Sequence, residues 1–158
     1  MDISEFIEVA KNLNVLGIKI TKDGELAAEW HSEPECRRNI YSATKSFTSC
    51  AVGFAVQEGL IDLNEKLTEA FSGDMPENID DNLKSATVQD LLTMCLGQEK
   101  GNLMGEQRPL YKEDDWVKMS LAVPFKYRPG THFVYNNVGP YLAGILVQRR
   151  SGCDLVSY

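Results

Sequence analysis

From Ser42 to Gly59 the chain keeps the period of an α-helix. Phe47, Cys50, Ala51, Phe54 and Ala55 recur on one face, and Gly59 stands where helices commonly close in left-handed backbone. An isolated helix of this length is marginal in water, so its apolar face demands a partner surface. Three further helical patterns supply one. Thr87 and Asp90 have the spacing of a helix cap ahead of Leu91, Leu92 and Cys95, with Gly97 as the stop. Glu113-Asp114-Asp115 places acidic residues at a helix start, where the macrodipole favours them, and Pro124 ends that helix. Gly139-Pro140 opens a helix through Leu142, Ile145 and Leu146 to Arg149-Arg150, stopped by Gly152. Between them, Asn64 to Lys84 reads as a long surface excursion and Glu99 to Tyr111 as a second loop. The tail, Asp154 to Tyr158, has the form of the first turn of another helix.

Strand patterns are confined to the N-terminal quarter. Val15 to Ile20 and Glu25 to Trp30 alternate, and Lys22-Asp23-Gly24 between them predicts a β-hairpin. Ahead of it, Ile3, Phe6, Ile7 and Ala10 form the stripe of a short helix ending near Asn12, with Asp2 and Glu5 spaced as a capping box. The expected class is therefore α+β, with an N-terminal helix and hairpin over residues 1–40 and a mainly helical part over 41–158. A chain of 158 residues suffices for one ordinary domain.

Sixteen Lys+Arg against 23 Asp+Glu leave a formal charge of -7. That balance argues against nucleic acid as a partner, since phosphate neutralisation needs a basic face. No apolar run is long enough for a transmembrane segment. The acidic start, Met1-Asp2-Ile3-Ser4-Glu5, lacks the features of a secretory signal, so the expected setting is cytoplasmic, or extracytoplasmic for a chain whose export signal has been removed. Cys36, Cys50, Cys95 and Cys153 form no CxxC pair, and His31 and His132 fall into no ligand spacing, so neither a metal site nor another cofactor is expected. Cys50 and Cys95 lie in apolar helical patterns and read as buried small hydrophobes.

Chemistry concentrates at two places. Ser42-Ala43-Thr44-Lys45 is an SxxK element where a loop becomes the long helix. Residues three apart share a helical face, so the Lys45 amine can reach the Ser42 hydroxyl. A serine becomes a useful nucleophile only when a base takes its proton, and a lysine serves as that base only when neutral. The helix N-terminus adds positive potential and free N–H groups for an oxyanion. Taken alone, the same four residues read more simply as a serine N-cap followed by a solvated lysine. The second place is Tyr135-Asn136-Asn137, a YxN element between the turn Pro129-Gly130-Thr131 and the helix opened by Gly139-Pro140. Its tyrosine could relay the serine proton, and an amide two residues on could hold a substrate carbonyl. Taken alone, it reads more simply as a turn with Asn-Asn chemistry and a packed tyrosine.

In this order and context, these elements resemble the penicillin-recognising serine hydrolases: class C β-lactamases, D-Ala-D-Ala peptidases and β-lactamase-like esterases. The resemblance runs through the hairpin around Asp23-Gly24, then Tyr41 to Thr48, Glu58 to Leu63 and Thr87 to Met94. It continues through Arg128 to Asn137 and Tyr141 to Gly144, and closes on Ser151-Gly152. It implies a β-lactamase/transpeptidase-like fold, with Ser42 as the acylated nucleophile and Lys45 as its proton partner. Tyr135 would assist proton transfer. Asn137 would contact the substrate's acyl-side carbonyl and orient Lys45. The implied partner is a small-molecule or peptide acyl donor: a β-lactam, a peptidyl-D-alanine or an ester.

Two departures qualify the resemblance. Met94-Cys95-Leu96-Gly97 replaces the His-Thr-Ser-Gly run of many members, at a structural position. More consequentially, the family's third motif, a Lys or His followed by a small or variable residue and Gly on a later sheet strand, is absent. Lys22-Asp23-Gly24 and Arg150-Ser151-Gly152 are a hairpin turn and a helix end, not that strand. The chain thus matches an N-terminal half lacking the later sheet strands. The alternative to a hydrolase is a non-catalytic fragment, a penicillin-binding or interaction module of the same ancestry. An open hairpin edge and the apolar Leu155, Val156 and Tyr158 predict a homo-oligomer or the binding of a complementary C-terminal segment.

Overall fold

The computed structural model describes residues 1–158. The chain forms two compact units, Met1–Ile40 and Tyr41–Tyr158.

In the first unit, helix α1 (Ser4–Asn12) precedes strands β1 (Gly17–Lys22) and β2 (Glu25–His31). The strands pair antiparallel, with Ile18 opposite Trp30 and Ile20 opposite Ala28, so one face carries the apolar cross-strand pairs. Asp23 and Gly24 take φ of 53° and 84°, the two left-handed residues that a tight hairpin turn of matching twist requires. The register slips between Ile20 and Thr21, which leaves Ala27 as the extra residue of a β-bulge. The expected capping box on α1 is not made. The helix starts one residue later, with Ile3 at the N-cap, and the Asp2 carboxylate accepts from the Ser4 N–H (2.9 Å) and hydroxyl (2.6 Å) instead. The expected stripe is narrower too, because Ile3 and Ala10 are buried while Phe6 is exposed.

The second unit is helical. A 3-10 turn (Tyr41–Ala43) leads into α2 (Thr44–Gln57), followed by α3 (Leu67–Ala70), α4 (Asp81–Ser85), α5 (Val88–Leu92), α6 (Trp116–Ala122) and α7 (Val138–Ser151). Helix α7 is the centre, packing against both α2 and α5. It buries Val138, Leu142, Ala143, Leu146 and Val147 completely. Its approach to α5 depends on Gly139, where a Cβ would lie 2.2 Å from the Leu91 carbonyl oxygen. Gly152, at φ 75°, closes α7 as expected, and Asp115 caps α6 by accepting from the N–H groups of Val117 and Lys118.

Four expectations for this unit change. First, the inward face of α2 is Thr48, Val52 and Ala55, with Phe47, Cys50 and Phe54 exposed. The helix is apolar over most of its circumference, so period alone does not choose the inward arc. Close contact with α7 at Gly144, beside Thr48, selects the smaller side chains. Second, Cys50 is exposed and Cys95 only half-buried, so neither is a core hydrophobe. Third, Asn64 to Lys84 is not a surface excursion: Leu67, Phe71 and Leu83 from it are buried in the core. Three irregularly spaced apolar residues make no readable period, yet they anchor two short helices. Fourth, α5 ends at Leu92, with Met94 already left-handed at φ 57°, so Gly97 is not its stop. The Thr87–Asp90 cap does form, the Asp90 carboxylate accepting from the Thr87 N–H at 2.9 Å. The tail makes one turn in which Asp154 accepts from Val156 and Ser157, with Leu155 and Tyr158 packed on the core and Val156 exposed.

No helix is long and apolar enough to cross a membrane.

Candidate active site

Ser42 sits in the 3-10 turn that enters α2, and Lys45 lies one turn further on, within the helix. The Lys45 ammonium donates to Ser42 Oγ at 3.1 Å. Ala43, not Ser42, is the N-cap residue, and no side-chain cap bond is made there. Ser42 is therefore not spent on the helix end, and its hydroxyl is open to other partners.

One such partner comes from far along the chain. Tyr135 OH donates to Ser42 Oγ at 2.7 Å, and Lys45 Nζ lies 5.1 Å from the centroid of the Tyr135 ring. The bond to Ser42 and then the one to Lys45, with the lysine's positive charge, hold the Tyr135 phenol below its ordinary pKa. The ring is 43% exposed, so this is not a packed core tyrosine.

The loop that carries Tyr135 is held at several points. The Gly130 N–H donates to Cys95 O (2.8 Å) and the Val134 N–H to Met94 O (3.0 Å), while the Asn137 N–H donates to Asn102 O (3.0 Å). A further restraint is steric: a Cβ on Gly97, at φ 94°, would lie 2.2 Å from the Tyr127 carbonyl oxygen. The chain thus crosses itself closely where the turn before Tyr135 begins, and only glycine allows it.

Asn137 is the N-cap of α7. Its side-chain amide donates to Leu103 O at 2.8 Å, so that N–H is committed to the loop rather than to Lys45. Asn137 and Lys45 do share a cleft of about 470 Å³ between α2 and α7, lined further by Tyr41, Thr48, Tyr141 and Leu155. Ser42 and Tyr135 do not line this cleft. The expected grouping therefore divides into a bonded Ser42–Lys45–Tyr135 cluster and an adjoining cleft that holds Asn137.

One residue of the site escaped the sequence reading of individual roles. Asn136 is 1% exposed, and both ends of its amide are bonded to the backbone around Tyr135. The only signal was its place inside the Tyr135–Asn137 element, where two consecutive asparagines read as turn chemistry.

The Beta-lactamase family profile matches residues 9–157. A penicillin-binding protein homologue from Pyrococcus abyssi, described as octameric, superposes with a TM-score of 0.72 at 26% identity, over 100% of this chain and 41% of its own. A beta-lactamase/D-alanine carboxypeptidase from Pseudomonas syringae gives a TM-score of 0.75 at 19% identity, over 96% of this chain and 44% of its own. A family VIII carboxylesterase reaches 30% identity over 71% of this chain and 30% of its own, with a TM-score of 0.52. The chain spans less than half the length of these structures. The match across almost all of its residues, on a fold that brings the SxxK serine to the YxN tyrosine, shows that this chain belongs to the beta-lactamase family.

Proposed function

We propose that Ser42 is the nucleophile of an acyl-transfer site, acting on a β-lactam, a peptidyl-D-alanine or an ester. One observation carries the reading: Ser42 Oγ receives bonds from both Lys45 Nζ (3.1 Å) and Tyr135 OH (2.7 Å). In the phenolate form, favoured by the lowered pKa, Tyr135 takes the Ser42 proton as Oγ bonds to the acyl carbon. The carbon–nitrogen or carbon–oxygen bond of the donor then breaks, and the leaving group takes the proton from the Tyr135–Lys45 pair. Water, deprotonated by the same pair, releases the acyl group and restores the Ser42 hydroxyl. The Ser42 N–H, beside the N-terminus of α2, is the one oxyanion donor assigned within these residues. Asn137 is assigned to the acyl-side carbonyl of the substrate.

In the same reading, residues 1–158 are the N-terminal part of one beta-lactamase-related domain, supported by coverage of 41% and 44% of the longer neighbours. A second reading, a non-catalytic penicillin-binding or interaction module, has a specific observation behind it. Exposed Phe47 and Phe54 on α2, with the octameric homologue as precedent, support association with a second copy or a complementary segment. Light scattering during size-exclusion chromatography reads that association directly.

Intact-mass spectrometry with a fluorescent penicillin and an activated ester tests the site. A mass increase in the wild-type chain, absent from Ser42→Ala, is expected. Equal labelling of both would place the adduct elsewhere and end the Ser42 assignment.

A further inference from the structure

We propose that Asn136 is a positioning residue for Tyr135, clamping the backbone on both sides of the phenol so that its hydroxyl stays on Ser42. This rests on the role given to Tyr135 above. The Asn136 side-chain N–H donates to Val134 O at 3.1 Å, and its side-chain oxygen accepts from the Gly139 N–H at 3.1 Å. One amide therefore ties the residue before Tyr135 to the first turn of α7. Each end of that tie is itself fixed. The Val134 N–H is bonded to Met94 O, and Gly139 is pressed against the Leu91 carbonyl.

The remaining freedom of the loop lies at Tyr135 itself. Its carbonyl oxygen runs close to Gly101, where a Cβ would approach to 2.6 Å, so the backbone has a wall on that side. The Asn136 clamp limits the other direction. The phenol is a long lever on this backbone, and small rotations at Cα become larger displacements at the hydroxyl. The Tyr135–Ser42 bond is 2.7 Å long and fails beyond about 3.5 Å, so modest loosening is enough to break it. At 1% exposure, Asn136 cannot touch a substrate, and it acts only through its neighbour. Alanine there leaves the Val134 carbonyl and the Gly139 N–H without their partner, an expense that the loop relieves by moving.

The test follows Tyr135 without requiring turnover. The chain is labelled with ¹³C at tyrosine Cζ, the Tyr135 signal is assigned with Tyr135→Phe, and each phenol is titrated by NMR. In the wild type, Tyr135 titrates below the ordinary range of a phenol. In Asn136→Ala, and in Asn136→Ser as a milder variant, its midpoint moves up to the range of an ordinary phenol while the others stay in place and the melt remains cooperative. A folded variant with the Tyr135 midpoint unchanged overturns the proposal. Movement of all the tyrosines together also overturns it, since that marks general loosening. Amide exchange in the wild type is independent of the variants' folding: a protected Gly139 N–H supports the clamp, and an unprotected one overturns it. If wild-type Tyr135 itself titrates as an ordinary phenol, the Ser42–Tyr135–Lys45 reading fails first and the proposal falls with it.

Discussion

Helix α7 buries Val138, Gly139, Leu142, Ala143, Gly144, Leu146 and Val147, whereas α2, of the same 14-residue length, buries Thr48, Val52 and Ala55. Both begin at the chemistry. The turn into α2 brings Ser42 and Lys45, and the loop into α7 brings Tyr135 and Asn137. The buried helix frames the loop before it: Gly139 lies against the Leu91 carbonyl, and the Asn136 side chain joins Val134 O to the Gly139 N–H. The half-covered helix leaves Ser42 exposed at its end.

The largest effect that would sharpen this contrast is at the chemistry. Tyr135→Phe should slow acylation of Ser42 by about 10²–10⁴, measured by the rate of adduct formation in mass spectra. The pH dependence has a definite sign. The phenol's pKa is lowered, first by its bond to Ser42, so acylation rises as pH climbs through that lowered value and is lost as pH falls below it. Tyr135→Phe should flatten that rise, and a profile identical to wild type would remove Tyr135 from proton transfer.

The packing half of the contrast predicts a large cost on α7. Leu146 is fully buried, and Leu146→Ala should destabilise the chain by about 2–5 kcal/mol in denaturant unfolding. A cost below about 1 kcal/mol would mean that α7 is not the centre of the core.

A smaller effect is expected where α7 ends. Arg149 donates to both oxygens of the buried Asp74 carboxylate and lies 5.7 Å from the Phe71 ring centroid. Asp74→Asn should cost about 1–2 kcal/mol, discounted because the Arg149 side chain is 45% exposed. The loss should shrink in high salt, and insensitivity to salt would point to packing rather than charge.

The smallest effect tests the other helix. Phe54 is 58% exposed, so Phe54→Ser should change stability by no more than about 0.5 kcal/mol, read from the same unfolding curves. A core-sized loss would restore Phe54 to the inward face of α2 and cancel the difference between the helices.

How far the sequence could be read depends on how local each feature is. The hairpin turn at Asp23-Gly24, the acidic start of α6 and the end of α7 at Gly152 were legible because each rests on backbone chemistry within a few residues. The Ser42–Lys45 spacing was legible for the same reason, being one turn of helix. The buried role of Leu67, Phe71 and Leu83 was not, because apolar residues scattered through a polar stretch carry no period. The inward arc of α2 was not either, since several arcs are apolar and only the approach of α7 decides among them.

What the sequence alone determined is the hairpin, the longer helices and the two short motifs, through local geometry: caps, turns, helical spacing and alternation. The family resemblance was legible in the order of those pieces. Only the tertiary structure decided that Ser42 and Tyr135, 93 positions apart, are 2.7 Å from one another. It also decided that the Asn137 amide faces Leu103 and that Asn136 is sealed in as a brace. Those facts depend on backbone crossings at Gly97, Gly101 and Gly139, where segments distant in sequence come within a methyl group of each other. No window of neighbouring residues contains such a crossing, so it exists only once the core has closed.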